Sequence, residues 1–255
     1  MLSNYFDTLI LSIVQGVSEF IPVSSSAHLI ILSKLNEFNL SSLTIDVSLH
    51  LGSFLAIIFY FNKDLINLIK NRNLALLIIF GSVPLIVFGY IFYTTNLIIH
   101  LRNTEVIAWM TLVFGIILYF ADKIKVEKKI DRDLNLKNIL IIGIFQILAL
   151  IPGVSRSGIT ITAGRILNFN RYESSKISFY LSIPALAGAS VIGLKDTLDQ
   201  NVQFNSIVIF STICSFIFSY LTIKYFLIYV KKFSLNIFVY YRIFLALILF
   251  AIIYN

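Results

Sequence analysis

Apolar stretches long enough to bury a helix in lipid recur through the whole chain, and this one feature leaves few folds open. Six of them, at 43–61, 73–95, 104–121, 174–193, 205–229 and 235–254, reach the roughly 20 apolar residues that cross a bilayer. In lipid each backbone N–H and C=O must be satisfied within the chain, which a helix does inside its own segment. Two further apolar regions, 5–36 and 139–167, are interrupted near their centres by VSEFIPVSSSAH and LALIPGVSRSGIT. Neither half of either region is long enough to span. Proline and a serine-rich turn halt the first half-helix, and backbone exposed at membrane depth must line a polar cavity or pack inside protein. Each region therefore reads as a re-entrant helical hairpin. The predicted fold is an all-α integral membrane protein of about six transmembrane helices plus two such hairpins, forming a single membrane domain over 1–255.

Composition removes the competing classes. Hydrophobic residues make up 58% of the chain and charged residues 13%, about half the usual charged share of a soluble domain, and the mean hydropathy is +0.89. The 20 Lys and Arg against 13 Asp and Glu give a net charge of +7. In a soluble chain that excess would suggest nucleic acid. Here the basic residues sit between apolar runs, so they read as topology signals and contacts to membrane lipids, with no nucleic-acid partner. The single cysteine, Cys214, excludes an intrachain disulfide and a thiolate metal cluster. The first apolar run carries Asp7, Gln15 and Glu19 with no Lys or Arg before it, which does not read as a cleaved signal.

The basic residues also order the spans. Segment 62–72 holds three Lys or Arg, 96–103 one, and 122–138 six, an alternation that places 62–72 and 122–138 in the cytoplasm. The first hairpin then dips from the outer face and the second from the inner face. At an offset of 131, Gln15 falls on Gln146, Ser24 on Ser155, Ser25 on Arg156, Ser26 on Ser157 and Ala27 on Gly158. The first repeat covers about 1–121, a cytoplasmic loop 122–138, and the second repeat about 139–255. Each half is one hairpin plus three spans, so the second enters upside down. Such inverted-topology repeats place their sites where broken helices meet near the midplane.

The chemistry-bearing residues lie at the two breaks. Gln15 and Glu19 are four apart and share a helix face; Pro22 then stops the helix, and Ser24, Ser25, Ser26 and His28 open the next one. The second break repeats the plan with Pro152, Gly153, Ser155, Arg156, Ser157 and Thr160. Tip to tip, these would bring two helix N-termini, several hydroxyls and a guanidinium to one point, the donor set a phosphate needs. Glu19 has the wrong charge to bind an anion directly. It suits a divalent cation that neutralises a diphosphate, with Gln15 giving a second oxygen. A guanidinium at membrane depth requires an anionic partner, and for Arg156 that is Glu19. The bland readings are that Ser24 and Ser155 only cap helices, that Asp46 and His50 make interhelical hydrogen bonds, and that 123–137 is a solvated loop.

Gln15-x-x-x-Glu19 with Phe20, Pro22 and Ser24-Ser25-Ser26-Ala27-His28, followed by Pro152-Gly153-Val154-Ser155-Arg156-Ser157-Gly158-x-Thr160, resembles the undecaprenyl-pyrophosphate phosphatase family, also called bacitracin-resistance proteins. The resemblance runs over essentially the whole chain and includes Leu49-His50-Leu51-Gly52-Ser53. Ala27 departs from it, standing where glycine is more usual. The resemblance implies a bacterial inner-membrane hydrolase that converts the C55 isoprenyl diphosphate to its monophosphate at the outer face. That recycles a lipid carrier for cell-wall synthesis, with a divalent metal, Mg2+ or Ca2+, as cofactor. By position it carries the functional glutamate to Glu19, its Glu-or-Gln partner to Gln15, the active serine to Ser25, the histidine to His28 and the arginine to Arg156. Ser24, Ser26, Gly153, Ser155, Ser157 and Thr160 are then substrate-binding candidates. A second copy of the chain, as a homodimer partner, stays open. So does the rival class, a polyprenyl-phosphate flippase or secondary transporter in which Glu19 and His28 carry protons.

Overall fold

The computed structural model describes residues 2–25, 27–28, 32, 43–70, 72–97, 101–125, 128–199 and 206–254. They form α1 (Leu2–Ser18), α2 (Leu43–Tyr60), α3 (Asn62–Lys70), α4 (Arg72–Thr94), α5 (Thr104–Asp122), α6 (Leu136–Ile147), α7 (Arg156–Ile166), α8 (Arg171–Asp199), α9 (Ser206–Lys232) and α10 (Asn236–Tyr254). Among the described residues the only strand-type pairing is an isolated bridge between Lys128 and Phe169, so the fold is all-α.

Five helices, α4, α5, α8, α9 and α10, are long and apolar enough to cross a membrane. The sixth expected span is α2, whose 18 residues give about 27 Å of helix at 1.5 Å per residue, slightly under the roughly 30 Å hydrocarbon core. The span expected at 174–193 is the middle of a 29-residue helix. Its ends carry Arg171, Glu173, Lys195 and Asp196, because helical hydrogen bonding continues where the apolar run stops. Along α4 only Ile78, Gly81 and Ser82 are buried, while Ile79, Phe80, Val83, Ile86 and Val87 face outward as a surface for lipid tails.

Both interrupted regions are broken helices. α1 stops at Ser18 and helical structure resumes at Ser25; α6 ends in a 3-10 turn at Leu148–Leu150, and α7 begins at Arg156 after an irregular stretch. With 17, 12 and 11 residues, α1, α6 and α7 reach about 26, 18 and 17 Å, none of them a full crossing. Most of the second limb of the first hairpin lies outside the described residues.

Small residues decide which helices meet. α9 presents Ser211, Ser215 and Ser219 one turn apart to α2: Ser53 and Ser219 hydroxyls lie 2.9 Å apart, Ser215 Oγ donates to the Leu49 carbonyl at 2.7 Å, and Ser48 bonds Ser211. Hydroxyls that pair across a seam let backbones approach where lipid gives no hydrophobic drive. On the other side α6 lies on α4, where a Cβ at Gly143 would stand 2.2 Å from the Gly81 carbonyl oxygen; only glycine permits that approach. The halves are thus interlocked: α1 packs on α9, α6 on α4, and α5 on α10. A cluster of Phe20, Phe61, Phe179 and Phe226 fills the core beside the first break, with Phe20 and Phe179 edge to face at 5.5 Å.

Candidate functional site

The two helix breaks touch. Glu19 is the first residue beyond α1, one turn from Gln15, whose Nε2 donates to Glu19 Oε2 at 2.9 Å and lies 3.2 Å from Nδ1 of His50 on α2. From the first turn of α7, Arg156 Nη2 donates to Glu19 Oε1 at 2.9 Å and to the Glu19 carbonyl at 3.3 Å, while Nη1 reaches the Ser178 carbonyl on α8 at 3.4 Å. The two side chains are 13% and 10% exposed. Breaking a pair this desolvated leaves a buried charge without compensation. Beside it, Ser157 Oγ donates to the Ile21 carbonyl at 2.7 Å, a third bond from one hairpin tip to the other.

The second break is shaped by backbone conformation. Gly153 has φ +97°, and a Cβ there would lie 2.6 Å from the Ile107 carbonyl oxygen and 2.9 Å from Met110 Cβ, so neither the dihedral nor the space admits another residue. Ser155 also has positive φ, at 70°; its hydroxyl caps α7 by accepting the Gly158 N–H at 3.2 Å. Arg242 on α10 locks this stretch. Its guanidinium is fully buried and donates to the carbonyls of Gly153 and Val154 at 3.0 Å, Thr111 at 3.1 Å and Met110 at 3.4 Å. Its charge is thus solvated by carbonyl dipoles, and the turn that launches Arg156 is pinned to α5 and α10. Sequence reasoning missed Arg242. The signal was there, an arginine inside an otherwise apolar span.

His28 lies to one side. Its Nδ1 is 2.5 Å from the Ser24 carbonyl oxygen, its Nε2 is 2.6 Å from Tyr241 Oη, and its ring stacks on Tyr241 at 5.5 Å. A carbonyl only accepts, so Nδ1 carries the proton and the Nε2 lone pair accepts from the tyrosine. Ser25, half-buried, opens the next helical turn, and no bond between it and His28 is among the hydrogen bonds of the described residues. Ser24 is buried. Ser26 lies outside the described residues. Thr160, fully buried, spends its hydroxyl on the Arg156 carbonyl at 2.8 Å and Ser178 Oγ at 2.7 Å, fixing α7 to α8. The structure therefore gathers Gln15, Glu19, Arg156 and Ser157 at one point with His50, which the sequence offered for interhelical hydrogen bonding, and with Ser178, which it did not single out. It uses Gly153, Ser155 and Thr160 to hold that point in shape.

Among the described residues no three His, Cys, Asp or Glu side chains cluster as a metal site. Gln15, Glu19 and His50 offer one amide, one carboxylate and one imidazole. Rotating the Gln15 amide presents its oxygen in place of its nitrogen. The two oxygens, from Glu19 and a rotated Gln15, suit a hard cation that keeps several waters, whereas the His50 imidazole is not a ligand such a cation favours.

A family model described as "Bacitracin resistance protein BacA" matches residues 8–248 of the chain. A Pelagibacter ubique protein named undecaprenyl-diphosphatase is 59% identical over 256 residues, covering 100% of both chains. Proteins of the same name from Elusimicrobium minutum and Saccharophagus degradans are each 41% identical, the first covering 95% of this chain and 96% of its own, the second 96% of each.

Proposed function

The chain belongs to the bacitracin resistance protein family, and on that premise we propose that it hydrolyses undecaprenyl diphosphate to undecaprenyl phosphate and inorganic phosphate. The observation that carries this reading is the Glu19–Arg156 pair, which joins the tips of two broken hairpins at the start of a helix. The isoprenyl tail lies among the lipid-facing helices and the headgroup enters between the tips. Arg156 exchanges the Glu19 carboxylate for phosphate oxygens, which its fork binds bidentately, and the positive end of α7 adds to that attraction. Glu19, released, and the Gln15 amide oxygen would hold Mg2+ or Ca2+, which when bound neutralises charge on the diphosphate.

The Ser25 hydroxyl attacks the terminal phosphorus. A bond forms from Oγ to phosphorus, the bridging P–O bond breaks, and undecaprenyl phosphate leaves with that oxygen. The serine proton passes to Nε2 of His28, whose Nδ1–H is already held by the Ser24 carbonyl; the Tyr241 hydroxyl on Nε2 gives way to Ser25 for this transfer. Water then hydrolyses the phosphoserine. Arg156 stabilises the charge that develops on the transferring group. The site opens to the outer face of the bacterial inner membrane, supported by the three, one, six alternation of basic residues.

Purified chain in detergent, given a C15 or C55 isoprenyl diphosphate, should release phosphate, and a chelator should suppress it. Binding without release under every metal condition would favour the transporter reading instead.

A further inference from the structure

At one end of the bundle, α5, α7 and α9 finish and α8 and α10 begin. A cavity of about 620 Å³ opens there, well within the roughly 300–1,000 Å³ of small-molecule sites. It lies at the far end of α7 from Arg156: nine residues separate Arg156 from Arg165, about 14 Å of helix. Its lining holds five cations, Lys123, Lys125, Arg165, Arg171 and Lys231, against the single carboxylate of Asp122.

That carboxylate is spent. Asp122 accepts Nε and Nη2 of Arg171 at 2.7 and 3.0 Å and the Leu235 N–H at 3.0 Å, and lies 3.5 Å from Nε of Arg165. Arg165, 2% exposed, donates its other nitrogens to the carbonyls of Asp122, Ile124 and Phe169. The floor is therefore a rigid cationic plate tied to the backbone of three segments. The lysines are different. None of the three takes part in an ion pair among the described residues. The ammonium of Lys123 sits 4.1 Å over the Tyr119 ring and that of Lys231 4.4 Å over the Tyr172 ring, which holds two charges at the cavity without neutralising them. A solvated loop alone would not need a buried arginine beneath it, since burying a guanidinium is costly.

We propose that this cavity binds an anionic phosphate group, carried by an acidic lipid headgroup at the membrane surface or by free phosphate, through Lys123, Lys125 and Lys231 over the Arg165–Arg171 floor. The site is separate from the Glu19–Arg156 centre and its test does not depend on hydrolysis. Each lysine near an anionic lipid surface contributes about fivefold in affinity, so removing three should weaken binding by about a hundredfold. The full chain is purified in detergent, as parent and as the triple variant Lys123→Gln, Lys125→Gln, Lys231→Gln. Native mass spectrometry then reads retention of dioleoylphosphatidylglycerol against dioleoylphosphatidylcholine, and thermal unfolding reads stabilisation by millimolar inorganic phosphate. Preferential retention of phosphatidylglycerol by the parent, lost in the variant, identifies a lipid headgroup. Stabilisation by phosphate, lost in the variant, without lipid preference, identifies free phosphate. A parent that responds to neither probe, or a triple variant with an unchanged unfolding temperature and the parent's full response, overturns the proposal.

Discussion

A lysine in place of Arg156 would keep the charge and lose the planar guanidinium whose Nη2 bonds Glu19 and whose fork is proposed to take phosphate oxygens. Arg156→Lys should therefore lower phosphate release by about a hundredfold or more, roughly 2.7 kcal/mol of transition-state stabilisation, measured as kcat/KM on an isoprenyl diphosphate. Ser25→Ala addresses another step. The variant should bind substrate and release almost no phosphate, and acid quench should trap a phosphoserine in the parent only. If it keeps more than about a tenth of parental turnover, a loss under roughly 1.4 kcal/mol, water activated by His28 replaces the serine as attacking group. Glu19 and Arg156 were legible in the sequence because each is a charge at membrane depth that demands a partner. Arg242 carried the same signal, a charge inside an apolar span, but nothing in the sequence named its partners, and Tyr241 carried no signal at all. Arg242 bonds carbonyls 88 to 132 residues away, and Tyr241 meets His28 across 213 residues. Backbone acceptors leave no mark in a side-chain pattern.

Helices that match by sequence offset do not carry matching chemistry. Gln15 bonds Glu19, whereas its counterpart Gln146 on α6 is fully buried and neither polar atom of its amide has a hydrogen-bond partner among the described residues. An unpaired buried amide costs about 1–3 kcal/mol. Gln146→Leu should therefore leave turnover unchanged and hold or raise the unfolding temperature, by about 2–4 °C per kcal/mol in a chain of this size. A clear fall in either would show that Gln146 does more than fill space. The spans themselves were readable, since lipid imposes a minimum apolar length on every crossing helix. Their ends and partners were less so. α8 runs past its apolar stretch on both sides, and the Ser211, Ser215, Ser219 stripe looks in sequence like ordinary polar dilution until α2 is laid against it.

For the whole molecule, orientation is the property on which the proposed outward opening of the site rests. A cysteine introduced at Asn96 should react with an impermeant reagent applied to sealed cells, and one at Asn135 should not. Labelling at Asn135 would reverse the orientation and put the hairpin tips on the other side. The tip-to-tip contact has a consequence in time as well as in space. Glu19 and Arg156 are 137 residues apart in the chain. At about 5–20 residues per second of synthesis, the glutamate is made some 7–27 s before its arginine. Through that interval the chain carries an acidic group whose eventual counter-charge does not yet exist. The contact between the two tips is thus completed late in the birth of the protein, when the second hairpin threads back to the first.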